Sequence, residues 1–126
     1  MPGTTYDTGA LLSAERGDRR MWAIHRRALE RGLRLTVPAG VLGQAWRGGP
    51  QAELSRFLKG CRIEPLDEVR SRAAGDACGR SATSDVIDAT VAVGALARSD
   101  LVVTSDPSDL RRIADSLGLR LDLVVV

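Results

Sequence analysis

Aromatic side chains are scarce in this chain: Tyr6, Trp22, Trp46 and Phe57 are the only ones among 126 residues. A core must then be built from aliphatic residues and alanine, and base stacking has few rings to draw on. The two cysteines, Cys61 and Cys78, lack metal-ligand spacing. They suit reduced structural thiols, and with them a cytoplasmic protein. The sole histidine, His25, lies in an Arg-rich helical stretch. That argues against a His-based triad or a zinc site and gives His25 a structural or surface role. No apolar run is long enough to span a membrane, and the first residues lack the basic-then-apolar layout of a signal peptide. The length suits one domain over residues 1–126, large enough to fold without staples.

Charge is present in quantity but unevenly spread. Residues 1–34 hold seven Arg against four acids, a net +3. Residues 35–80 carry six Arg and Lys59 against five acids, a net +2, and residues 81–126 hold four Arg against seven Asp, a net −3. A basic front and an Asp-rich back suit a protein that attracts a polyanion and holds a cation beside it. Ordinary solvated helix faces would give the same totals.

Hydrophobic patterning alternates short strands with helices. Strands are predicted over Thr4–Asp7, Leu33–Val37, Cys61–Leu66, Leu101–Thr104 and Leu119–Val126. Pro65 places the third strand near an edge or ends it. Helices are predicted over Ala10–Glu15, Asp18–Arg31, Ala39–Arg47, Gln51–Leu58, Asp67 to about Arg80, Asp85–Arg98 and Pro107–Leu117. In the second of these Met21, Trp22, Ile24, Ala28 and Leu29 form the inward face. Pro38 suits a first helical turn and Ser84 a cap. The Asp85–Arg98 helix is apolar nearly all round, which marks it as buried. Strands separated by helices indicate an α/β fold with a central parallel sheet and helices on both faces. Ligands of such sheets bind at the carboxyl ends of the strands.

The first strand ends in Asp7-Thr8-Gly9-Ala10, the short signature of an aspartic protease. Those proteases are nearly all β, so the match is accidental. A phosphatase motif would need a second acid where Gly9 stands, and a receiver domain would need a late lysine, where this chain has only Lys59. Asp7 and Asp106 both follow strands and so fall at the carboxyl edge. Asp88 lies within an apolar helix, where a bare carboxylate costs several kcal/mol, and Asp85 precedes it by one turn on the same face. A divalent cation shared by Asp7, Asp88 and Asp106 explains these acids economically. Oxygen-only ligands favour Mg²⁺ or Mn²⁺ over zinc. Each acid also has a plainer reading: Asp85 and Asp109 as first-turn charges that complement the helix dipole, Asp106 as an N-cap, Asp7 as a turn residue.

In order along the chain, the segments YDTGALL, VPAGVLGQAWRGG, TSDVIDATVAV and VVTSDPSDL resemble the PIN-domain nucleases, and among them the VapC-type toxins of bacterial toxin–antitoxin pairs. The resemblance spans nearly the whole chain. It implies a three-layer α/β/α fold and metal-dependent endoribonuclease activity on structured RNA such as tRNA or rRNA. It also implies a VapB-type antitoxin that inhibits by occupying the cleft, and often a homodimer. Carried over by motif, Asp7 is the first acid of the site, Asp88 the third and Asp106 the fourth, serving as catalytic residues and metal ligands. Asp85 or Asp109 could assist, and the hydroxyls of Thr8 and Ser105 could bond metal-bound water.

One position departs from the pattern. The second acid is usually a Glu in the helix after the second strand, and Gln44 stands there. A glutamine can ligate through its carbonyl or orient a water but brings no negative charge. This leaves open a catalytically weak or inactive module that binds RNA or antitoxin. Glu53 lies beyond a Gly-Gly-Pro break and is a poor substitute. The implied chemistry is an in-line attack on phosphorus by a water that the metal has acidified, leaving a 5′-phosphate and a 3′-hydroxyl. Arg16, Arg19, Arg20 and Arg47 are candidates for contacts to the RNA backbone.

Overall fold

A computed structural model describes residues 2–126. Five strands form one sheet: β1 (Thr4–Tyr6), β2 (Leu35–Pro38), β3 (Arg62–Glu64), β4 (Leu101–Thr104) and β5 (Leu123–Val125). Every pairing is parallel, and the order across the sheet is β3-β2-β1-β4-β5. The helices are α1 (Thr8–Glu15), α2 (Arg19–Glu30), α3 (Ala39–Ala45), α4 (Ala52–Leu58), α5 (Glu68–Ser81), α6 (Val86–Arg98) and α7 (Pro107–Ser116). Helix α1 packs with α2, α3 and α4, while α5, α6 and α7 pack on one another. The result is the three-layer α/β/α arrangement read from the sequence. The chain runs outward from β1 through β2 to β3, then returns to the other side of β1 through β4. The strand order thus reverses at the β1–β4 junction, where parallel sheets place their ligand crevice.

Element boundaries moved where side chains took other partners. Pro38 ends β2 in extended geometry (φ −60°, ψ 141°) rather than opening the next helix. Helix α1 begins at Thr8 because the Asp7 carboxylate caps it, accepting from the Ala10 amide at 2.9 Å. Asp85, rather than Ser84, caps α6. The last strand is shorter than expected. Strand β3 stops at Glu64, before Pro65, and forms one edge of the sheet.

Alanine and aliphatic side chains fill the core, and the few rings gather in one pile. The His25 ring stacks on Phe57 with centroids 3.8 Å apart, and Tyr6 and Trp22 pack around both. His25, only 2% exposed, takes the inward place on α2 expected of Leu29, which is 46% exposed. Its Nδ1 lies 3.0 Å from the Tyr6 hydroxyl, so the buried polar atom has a partner. Burial holds the ring neutral, lowering its pKa to about 4 against a backbone hydrogen bond at Phe57.

Beneath α6 lies a buried polar network that strand patterning does not reveal. The Asp100 carboxylate accepts from the Gly3 amide (2.9 Å), the Thr5 hydroxyl (2.8 Å) and Arg98 Nε (3.0 Å). The Arg98 guanidinium also pairs with the buried Glu64 carboxylate. Arg98 therefore ties the ends of β3 and β4 to the central strand. Partial removal would leave an uncompensated buried charge, at a cost of about 3–5 kcal/mol.

Candidate active site

Three chain turns meet at the carboxyl edge of the β1–β4 junction. The first is the step from β1 into α1, carrying Asp7 and Thr8. The second is the start of α6, with Asp85 and Asp88. The third is the step from β4 into α7, with Ser105, Asp106 and Asp109. Close approach of the first and third depends on Gly9. A Cβ there would lie 1.8 Å from Ser105 Oγ and 2.8 Å from Ser105 Cβ. Glycine is needed at that point for space rather than for an unusual backbone angle.

Asp7 is buried, at 7% exposure. Burial raises its pKa, hydrogen bonds from Thr104 and the Ala10 and Gly9 amides lower it, and the neighbouring Asp106 raises it. Asp88 occupies the first turn of α6 and is half-buried. The sequence reading placed it inside a buried helix over Asp85–Arg98. Helix α6 spans Val86–Arg98, and its first turn, with Asp88, is less buried than its middle. Its pKa is raised to about 7 by burial first, then by the charges of Asp85 and Asp109 and, more weakly, Asp7. Asp85 accepts from the Asp88 amide at 3.0 Å, so the N-cap reading of Asp85 describes its geometry, and it adds charge to the cluster as well.

Asp106 is at the N-cap position of α7, but its carboxylate bonds no helix amide. It accepts only from Ser108 Oγ at 3.0 Å and is exposed, while its own amide donates to Thr104 Oγ1. Asp109 lies 3.9 Å from Arg112, a loose pair on the solvent side. Five carboxylates from three segments thus feel one another. Among the described residues no three acid, imidazole or thiol side chains already stand in ligand-ready contact. The donor chemistry nonetheless fits a hard divalent cation: all the groups are oxygen donors, and their mutual repulsion is the kind a cation offsets.

Gln44, on α3, reaches the site through Thr8, whose hydroxyl donates to its side-chain carbonyl. Helix α3 abuts the start of α6 closely, since a Cβ on Gly40 would meet Ile87 Cδ1 at 2.4 Å. Glu53 is engaged with Arg56 at 2.7 Å on the exposed face of α4. The arginines scatter. Arg47 follows α3 and bonds the carbonyls of Gly43 and Trp46. Arg16 caps the far end of α1 from Asp7, bonding Ser13, and Arg19 is exposed in the first turn of α2. Arg20 lines a groove beside Thr4 and Leu101, the first residues of β1 and β4, at the opposite edge of the sheet from the acids.

No family model matches the chain, and no curated protein matches it by sequence. Solved structures do match in shape. A chain in the crystal structure of VapBC2 from Rickettsia felis, bound to a DNA fragment from their promoter, superposes with a TM-score of 0.73 at 15% identity. The match covers 98% of each chain. PAE2754 from Pyrobaculum aerophilum superposes with a TM-score of 0.64 at 13% identity, over 97% of this chain and 83% of that one. The fold is PIN-like. In this PIN-like sheet the acid cluster occupies the crevice that the strand order creates, and α6 and α7 present their first turns to it. Among the described residues no helix is long and apolar enough to cross a membrane.

Proposed function

We propose that the protein is a toxin endoribonuclease of the VapC type, hydrolysing phosphodiester bonds of structured RNA with Mg²⁺ or Mn²⁺ and neutralised by a VapB-type antitoxin. The observation that carries this reading is the convergence of Asp7, Asp88 and Asp106, from distant segments, at the switch point of a PIN-like sheet. The VapBC2 structure, a toxin–antitoxin pair by its name, supports the antitoxin partnership through shared shape.

In this reading Asp7, Asp88 and Asp106 hold the cation, with Asp85 and Asp109 adding charge. When bound, the cation would acidify a water and offset charge on the phosphate. The chain's own part is orientation. Asp7 is fixed by its hydrogen bonds to the Gly9 and Ala10 amides, and the hydroxyls of Thr8 and Ser105 border the same space. Arg47, which follows the helix bearing Gln44, would contact RNA backbone in this reading, and such contacts would weaken with salt. A second reading, an RNA- or antitoxin-binding module without cleavage, is favoured by one observation: the Gln44 carbonyl is neutral and already occupied by Thr8.

Purified protein incubated with total RNA and Mn²⁺ or Mg²⁺ is expected to release 5′-phosphorylated fragments, and EDTA to stop it. Asp88→Asn is expected to lower cleavage a hundredfold or more, about 3 kcal/mol in barrier, with an unchanged circular dichroism spectrum. Undiminished cutting by the variant would remove Asp88 from the site. Metal-replete wild-type protein that binds RNA without cutting it would establish the second reading.

A further inference from the structure

At the edge of the sheet opposite the acids, α2 and the open face of β4 and β5 enclose a groove of about 460 Å³. Its floor is aliphatic: Ile24, Leu33, Leu101 and Val124, each half-buried, meet there. Along its rim stand Arg20, Arg27 and Arg31, all exposed. The spacing of these three, seven and then four residues, sets them in one row along α2, about 16 Å long. Among the described residues none of the three forms an ion pair, although eight pairs occur elsewhere in the molecule.

Three unpartnered guanidiniums above an apolar floor ask for two things at once: negative charge at the rim and hydrocarbon below. We propose that this groove docks a segment of a partner protein that is amphipathic, with Asp or Glu along one side and aliphatic side chains on the other. Nucleic acid would satisfy the arginines but would set phosphates or sugar edges against Leu33, Leu101 and Val124, leaving the floor uncovered. A second copy of the chain, offering its Asp-rich end to this basic face, would make a head-to-tail contact, which builds rings or filaments rather than a two-fold pair, and its acids would leave the apolar floor uncovered. An acidic amphipathic segment meets both demands, with the guanidiniums forming paired bonds to carboxylates and the floor burying apolar surface at roughly 25 cal/mol per Å². The groove lies at the amino ends of β1 and β4, so its occupant leaves the carboxyl edge open. This inference therefore stands independently of what the acids do.

The test is a titration of the isotope-labelled full chain, followed by amide chemical shifts. The probe is a synthetic amphipathic peptide roughly four helical turns long, with Glu on its polar side and Leu on the other. A Lys-for-Glu counterpart and a single-stranded RNA oligonucleotide are run beside it. Saturable shifts confined to α2, β4 and β5 are expected for the Glu peptide, and none there for the Lys peptide. Arg27→Glu with Arg31→Glu is expected to weaken the Glu peptide tenfold or more. Both side chains are exposed, and an unchanged amide spectrum elsewhere would confirm that the variant is folded. Arg27→Lys with Arg31→Lys is expected to keep most of the affinity. Equal binding of the two peptides, shifts elsewhere, or no saturation by roughly 1 mM would overturn the proposal. So would RNA, rather than peptide, shifting the groove and losing affinity on charge reversal.

Discussion

Gln44 tests the site most sharply at the scale of one side chain. Its carbonyl accepts the Thr8 hydroxyl, so it borders the acids without adding charge. Gln44→Glu would place a further carboxylate at that point, and ligand charge count tunes divalent affinity. Calorimetric titration with Mn²⁺ is expected to show binding tightened roughly tenfold; an unchanged affinity would mean the side chain points away from the cation. Gly9 is the second case. A methyl there collides with Ser105, so Gly9→Ala is expected to cost about 1–3 kcal/mol in urea unfolding. Ser105→Gly in the same chain should return about half of that loss or more, since it removes the colliding atoms. Neither contact could be read from the letters. The sequence placed Asp7 and Asp106 at a common edge because strand ends can be located by pattern, and it drew in Asp88 because a carboxylate in an apolar helix calls for a partner. Which side chain bonds which, such as Thr8 with Gln44, depends on approach distances that patterning does not carry.

At the scale of elements, the strand–helix alternation was legible nearly throughout, because period and punctuation agree: Gly17, Gly32 and Gly118 each mark a break with positive φ. What patterning left unread has a common cause, a polar group satisfied in the interior. His25 sits inward because Tyr6 and Phe57 receive it. Glu64 and Asp100 are buried because Arg98 spans both. Helix α6 ends on Ser99, a non-glycine residue at φ 59°, in the left-handed region. Ser99 is exposed, so little packing opposes a change. Ser99→Gly is expected to stabilise the protein by about 0.5–1 kcal/mol, seen as a raised Tm. A lowered Tm would mean that its hydroxyl holds the turn leading into β4.

Across the whole molecule, two titrations act on stability in opposite directions. His25 has its pKa lowered from 6.5 to about 4. The folded ring resists a proton that the unfolded chain accepts, so its contribution is full above 6.5 and is lost as pH falls through about 4. Asp88 has its pKa raised from 3.8 to about 7. There the folded chain retains a proton that the unfolded chain releases, so stability declines as pH rises from about 4 to about 7. Between about pH 4 and 6.5 the two slopes oppose each other and nearly cancel, so in EDTA the wild-type Tm is expected to change little there. Asp88→Asn removes the falling contribution, so the Tm of that variant should climb with pH across the same window, the His25 contribution standing alone. A variant Tm that tracks the wild-type Tm at every pH would contradict the electrostatics described for Asp88. We further expect one cooperative transition throughout, as for a single folding unit over residues 1–126.

The central position of β1 bears on how the protein is made. A ribosome delivers Tyr6 and Asp7 well before the strand that must lie along their other side, since β4 follows some ninety residues later. Until then the middle strand has one bare edge, and the acids at positions 88 and 106 have not been joined to the first. A chain truncated before β4 therefore lacks an assembled acid cluster, and whatever chemistry the cluster performs waits on the segment that carries Asp106.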